Sequence, residues 1–217
     1  TRLQGDWSSD VCSSDLGVQS GEASVNALLG VAGLHDDIAV VRGTSQYTDS
    51  FPQHRVVPPF PLRGYEDILA FSGYVSSYHG LAHVEDCSLS GDAVLIQSQV
   101  IQELGGFDPQ FFGYCSDLDY GLRAQQRGYR LVCAQGAWLH HEGAGHIKAE
   151  SALEQVSWAT VRARREQLIQ ADYELFRAKW DPQLQPMHEG VRYDFDRLRA
   201  RRVTAYCEFA PPPFEQL

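Results

Sequence analysis

Three observations predict an α/β fold followed by a helical extension. Between residues 93 and 134 the chain reads strand, helix, aromatic loop, helix, strand within about forty residues, the alternation that lays helices on a sheet. The run IAVV at 38 to 41 is continuously apolar, as a strand buried on both faces must be. Beyond residue 150 a polar stretch carries apolar residues at Leu153, Val156, Leu168, Ile169 and Phe176, the pattern of one or two amphipathic helices covering an edge.

Taken in order, the small, weakly apolar segment from Gly17 to Gly33 predicts a short helix closed by a glycine. IAVV then runs into Arg42-Gly43, read as a turn. Four prolines and several aromatics between Gln46 and Arg63 predict an ordered but irregular loop, a length that usually carries function. Residues 66 to 78 predict a helix broken at Gly73. Ala93 to Ile96 is a strand, and residues 97 to 104 form a helix stopped by Gly105-Gly106. After the Phe107-Asp108-Pro109 turn comes an aromatic loop with Phe111, Phe112 and Tyr114. The next helix starts at Asp117 as N-cap, places Leu118 and Leu122 on one face and ends at Gly128, and Tyr129 to Ala134 is a strand. RLRARR at 197 to 202 and the triple proline at 211 to 213 predict a peripheral tail.

Composition narrows the function. With 217 residues, 43% of them hydrophobic, the chain can bury the core of one ordinary domain. No apolar run approaches the twenty residues of a membrane span, and no secretory leader is visible. The cysteines Cys12, Cys87, Cys115, Cys133 and Cys207 form no CxxC pair, which argues against a zinc knuckle or disulfide framework and predicts a reducing, cytoplasmic setting. A formal charge of −10 disfavours nucleic acid as a partner, since phosphate binding needs a basic footprint. RLRARR is the one cluster that could touch an anionic membrane face, although a solvated surface is the ordinary role of such a run.

The chemistry concentrates in SDLDYGLR and LHHEG. Asp117 and Asp119 stand at the mouth of a helix, where unsatisfied N–H groups favour negative charge. The structural account makes them cap and first-turn charge. The same field keeps a carboxylate ionised at neutral pH, as a general base requires. His140 and His141 follow an apolar strand and precede a glycine-rich loop, where a neutral imidazole could ligate a divalent metal. Cys115 and Cys133 match no closed metal site and are read as packing residues.

Together LSGDAVLI, GGFDPQFFGYCSDLDYGLRAQQRGYRLV and GAWLHHEG resemble the C-terminal half of the family 2 glycosyltransferases of GT-A fold, closely over residues 86 to 146. The resemblance implies a Rossmann-like nucleotide-diphospho-sugar transferase domain whose acceptor and catalytic-base half spans residues 17 to 150, with residues 151 to 217 as extension and tail. It puts Asp117 on the catalytic base, Asp119 on a supporting acidic position and His141 on a histidine that helps hold a divalent metal, Mg or Mn. Ser90, Gly91 and Asp92, with Phe112 and Tyr114, fall on the donor and acceptor site. The family's usual Glu-Asp pair is here Ser116-Asp117. The implied reaction is inverting transfer of a sugar from a nucleotide-sugar donor to a glycan or lipid-linked acceptor, with cell-surface polysaccharide as the family-level product and the inner face of the membrane as its place.

The nucleotide-binding strands and the DxD metal ligands expected of that family are not found: Asp117-Leu118-Asp119 opens a helix, and Asp36-Asp37 precedes a strand. Truncation, and inactivity of the chain as it stands, are therefore expected. The opening stretch GDWSSDVCSSDL, residues 5 to 16, has no helical or strand period and resembles a translated sequencing adapter, so residues 1 to 16 are expected to be foreign. Two further readings stay open: a non-catalytic α/β module that binds a saccharide or a protein, and a metal hydrolase using His140, His141 and Asp117.

Overall fold

The computed structural model describes residues 11–14, 18–48, 52–89, 93–111, 114–141 and 145–184, with backbone alone for 11–14 and 145–148. The strands are β1 (Val11–Ser14), β2 (Val18–Gln19), β3 (Ile38–Ser45), β4 (His83–Asp86), β5 (Ala93–Ile96) and β6 (Arg130–His141). The helices are α1 (Glu22–Ala32), α2 (Tyr65–His79), α3 (Ser98–Leu104), α4 (Ser116–Gln126), α5 (Gly145–Glu154) and α6 (Trp158–Trp180). The α/β architecture read from the sequence is the one observed.

Six strands form one mixed sheet in the order β1-β5-β3-β6, with β2 and β4 both paired to the far side of β6. β3 and β6 are parallel, and every other pairing is antiparallel. Side chains alternate between the faces, so one face of the sheet (Ile38, Val41, Leu95, Val132, Ala134) packs on α1 through Ala27, Leu28 and Val31. The opposite face (Val40, Val94, Ile96, Leu131) packs on α3 and α4 through Val100, Tyr120 and Ala124. Further along β6, α2 buries Ile68, Phe71 and Val75 against Trp138. The indole is fully buried, meets Phe71 edge-on at 4.7 Å and donates to the Val56 carbonyl at 2.9 Å. That carbonyl satisfies the one polar atom of a side chain whose burial is worth roughly 3 kcal/mol.

The register of β6 against β3 jumps from Gly43–Ala134 to Thr44–Trp138, so Gln135, Gly136 and Ala137 bulge out of the ladder. Two glycines make room for the bulge. A Cβ on Gly43 would stand 2.5 Å from the Ala137 carbonyl oxygen, and one on Gly136 would stand 2.1 Å from the Gly80 carbonyl oxygen. Carbonyls at and just after the bulge find side-chain donors: Thr44 Oγ1 donates to Ala137 at 3.2 Å, and Ser24 Oγ and Ser72 Oγ donate to Trp138 at 2.5 and 3.3 Å.

Several local expectations need correction. Residues 11 to 14, read as having no strand period, form a strand antiparallel to β5. A ladder is made by backbone groups alone, and β5 presents an unpaired edge to them. Arg42 and Gly43 continue β3 to Ser45 instead of turning, because the parallel partner β6 extends beyond them. α2 passes through Gly73 without a break, since one glycine costs a helix only about 1 kcal/mol, less than the packing around it returns. β4 was not foreseen. Leu153 and Leu168 are 83% and 44% exposed; the buried stripe of α6 is Val161, Ile169, Asp172, Tyr173 and Phe176. RLRARR and the triple proline lie outside the described residues.

Gly136→Ala and Gly73→Ala are expected to change stability in opposite directions. The first drives a methyl group into the Gly80 backbone and should lower the unfolding free energy by about 2 kcal/mol. The second meets nothing within 4 Å on a helix and should raise it by about 0.8 kcal/mol. Urea titration followed by circular dichroism measures both.

Candidate functional site

α4 passes through a short turn into β6 and packs on the start of that strand, Tyr120 and Ala124 clustering with Leu131. α4 is entered through Cys115, a buried non-glycine residue at φ 62°. Left-handed backbone costs an ordinary residue roughly 1 kcal/mol or more and persists only where neighbours enforce it. Cys115, with no side-chain cap bond, is the N-cap, so Asp117 is not the cap that was expected. Asp117 lies in the first turn, half-buried, its Oδ1 accepting from the Leu118 N–H at 2.8 Å.

Asp119, two residues on, has a different environment. It is fully buried and accepts from Arg123 Nε at 2.9 Å and Trp180 Nε1 at 2.8 Å, with Lys179 Nζ at 2.7 Å. Two cations and an indole occupy this carboxylate and turn it toward α6. Lys179 also reaches Asp108 at 2.6 Å, a contact that holds the Asp108 carboxyl below the usual range. Its hydrogen bonds to the same two carboxylates push the ammonium up against the opposing effect of its partial burial.

The aromatic loop is held from α6 as well. Tyr114 is half-buried: its N–H donates to Asp172 Oδ2 at 2.9 Å, and its hydroxyl accepts from Arg165 NH1 at 3.2 Å. Phe111 is buried against Phe176 and is a core residue, not an exposed stacking platform. Phe112 lies outside the described residues, as do Ser90, Gly91 and Asp92.

His140 and His141 close β6, each fixed by the residues that follow β3. Gln46 Nε2 stands 2.5 Å from His140 Nδ1, and Gln46 Oε1 accepts from the His141 N–H at 3.2 Å. His141 Nδ1 faces the Tyr47 carbonyl at 3.3 Å, with the Tyr47 ring edge-on at 5.4 Å. A carbonyl only accepts and an amide nitrogen only donates. These contacts suit a proton on Nδ1 in His141 and an acceptor Nδ1 in His140. His141, 3% exposed, thus directs its Nε2 lone pair away from Tyr47, as a metal-binding imidazole does. One ligand does not make a site, and among the described residues no group of three or more His, Cys, Asp or Glu could hold a metal ion. Cys115 and Cys133 are buried; burial above all pushes the Cys133 thiol far up, which suits a packing role.

Sequence reasoning did not find the His54–Asp86 pair, Nε2 to Oδ1 at 2.5 Å with both side chains almost wholly buried. It also missed Gln46, Arg165, Asp172, Lys179 and Trp180 as supports of the site. For the α6 residues a signal existed: Asp172 and Lys179 are one heptad apart, on a stripe that also carries Phe176. For His54 in the proline-rich loop there was none.

No protein-family model matches the chain. A stretch of 79 residues is 37% identical to the O-antigen biosynthesis protein RfbC of Myxococcus xanthus, covering 36% of this chain and 6% of that protein. Among the described residues no helix is long and apolar enough to cross a membrane.

Asp119→Asn is expected to lower the unfolding free energy by about 2 kcal/mol, because the fully buried side chain loses its charge-assisted hydrogen bonds to Arg123 and Lys179. The half-exposed pair of Asp37 with Arg130 should cost less than about 1 kcal/mol when cut by Asp37→Asn. Urea unfolding of the two variants side by side measures the contrast.

Proposed function

We propose that this chain contributes the acceptor side of an inverting glycosyltransferase, with Asp117 as general base. The observation that carries the reading is the division of labour within SDLD. Asp119 is consumed by Arg123, Lys179 and Trp180, while Asp117 stays partly exposed at the start of the same helix. The likeness over 79 residues, 37% of them identical, to an O-antigen biosynthesis protein supports a sugar-transfer role, with a nucleotide-sugar donor and a glycan or lipid-linked acceptor.

In this mechanism Asp117 accepts the proton of the acceptor hydroxyl as its oxygen attacks the anomeric carbon and the bond to the nucleoside diphosphate breaks. A carboxylate is a weak base for an alcohol, so proton transfer is late and positioning supplies much of the rate. Asp117 is suited to that task because its Oδ1 is oriented by the Leu118 N–H. Ser116, where the family pattern has a glutamate, leaves Asp117 as the single carboxylate of the pair. A divalent ion on the diphosphate belongs to the proposal only through His141, since the described residues supply no further ligand group.

The test is release of nucleoside diphosphate from a panel of UDP-, GDP- and dTDP-sugars, with lipid-linked oligosaccharide extract as acceptor. Asp117→Asn should lower kcat by about 10²- to 10⁴-fold with an unchanged circular dichroism spectrum. Equal turnover by the variant and the parent would remove Asp117 from the chemistry. Glycan binding without any turnover would establish the non-catalytic module instead.

A further inference from the structure

We propose that α6, in the C-terminal extension, is the positioning element for the segment that carries Asp117, and this rests on the reading of Asp117 as base. The segment from Tyr114 to Asp119 is gripped on both sides of that residue by α6. Before it, Asp172 accepts the Tyr114 N–H at 2.9 Å and Arg165 donates to the Tyr114 hydroxyl at 3.2 Å. After it, Lys179 and Trp180 hold Asp119 at 2.7 and 2.8 Å. Between the two grips the backbone passes through Cys115 at φ 62°, a conformation the residue would not hold unaided.

An apolar seam completes the grip. Phe111, Cys115 and Leu118 pack against Tyr173, Phe176 and Leu184. Arg165 is in turn anchored to Glu150 of α5 at 2.6 Å, so the support is braced from a second helix. Asp172 is 5% exposed and Asp119 is fully buried, where an acceptor without its donor, or a charge without its counter-charge, is costly. The segment therefore adopts its observed path when α6 is docked. A base that relies on geometry is sensitive to such support, because small misplacements cost large factors in rate.

Lys179→Met and Asp172→Leu each remove one contact of one grip while keeping side-chain bulk. By amide hydrogen exchange on the full chain, peptides covering 114 to 119 should exchange at least roughly tenfold faster in both variants, with β3 and β6 unchanged. Asp117→Asn should leave that exchange as in the parent. In the transfer assay kcat should fall roughly tenfold at a KM within a factor of two, and Lys179→Arg should restore it. Unchanged exchange at 114 to 119 in both variants overturns the proposal, as does faster exchange with kcat intact. If the parent shows no transfer, as expected of a chain that lacks the donor-binding half, hydrogen exchange alone decides whether α6 holds the segment. Should Asp172→Leu fail to fold, Lys179→Met carries the test, since Arg123 and Trp180 still cover Asp119.

Discussion

The polar backbone of β6 must be satisfied wherever it crosses the core, and most of the molecule is arranged around that demand. β3 pairs along one edge of this strand, while β4 and then β2 share the other. Where the register breaks at Gln135 to Ala137, a buried carbonyl left bare would cost on the order of 1–3 kcal/mol. Hydroxyls of Thr44 on β3 and of Ser72 on α2 take the place of ladder donors. The same bulge requires glycine at positions 43 and 136, and it turns Trp138 into the pocket formed by Val56, Ile68 and Phe71. A strand that kept perfect register would need none of these residues.

The second organising contrast is between two carboxylates two residues apart. A surface ion pair is worth little, whereas a buried one must be kept whole. Asp119 is of the buried kind and joins α4 to α6; Asp117 remains partly exposed. Fixing one acid so firmly determines where the other stands, because both sit on a single turn of helix. α6 is thereby coupled to the chemistry proposed for α4 without contributing a reacting atom.

Much of this was legible in the chain. Continuous apolar runs disclosed β3 and β5, glycine stops marked the ends of α1 and α3, and motif spacing directed attention to Asp117, Asp119 and His141. What was not legible depended on partners distant in sequence. HVED became a strand because β6 offered an edge. Arg42-Gly43 remained extended because a parallel partner lay beside it. Cys115, not Asp117, became the N-cap because α6 holds the chain on either side of it, and no local propensity predicts a left-handed cysteine. VCSS paired with β5 through its backbone, a form of recognition that side-chain pattern does not encode.

His54 and Asp86 illustrate how such a distant pair shapes the site. A polar pair this deeply buried is weak grounds for stability, since desolvation offsets much of the attraction, and its clearer effect is to fix one arrangement. Here it fastens the turn that follows β3 to the end of β4. With His54 fixed, the Val56 N–H meets the Ser45 carbonyl at 2.8 Å and the Val56 carbonyl meets the Trp138 indole. Those two bonds close the chain back on the last residue of β3, immediately before Gln46 and Tyr47. Gln46 and Tyr47, the neighbours of His140 and His141, are therefore held between a ladder on one side and a buried hydrogen-bonded pair on the other.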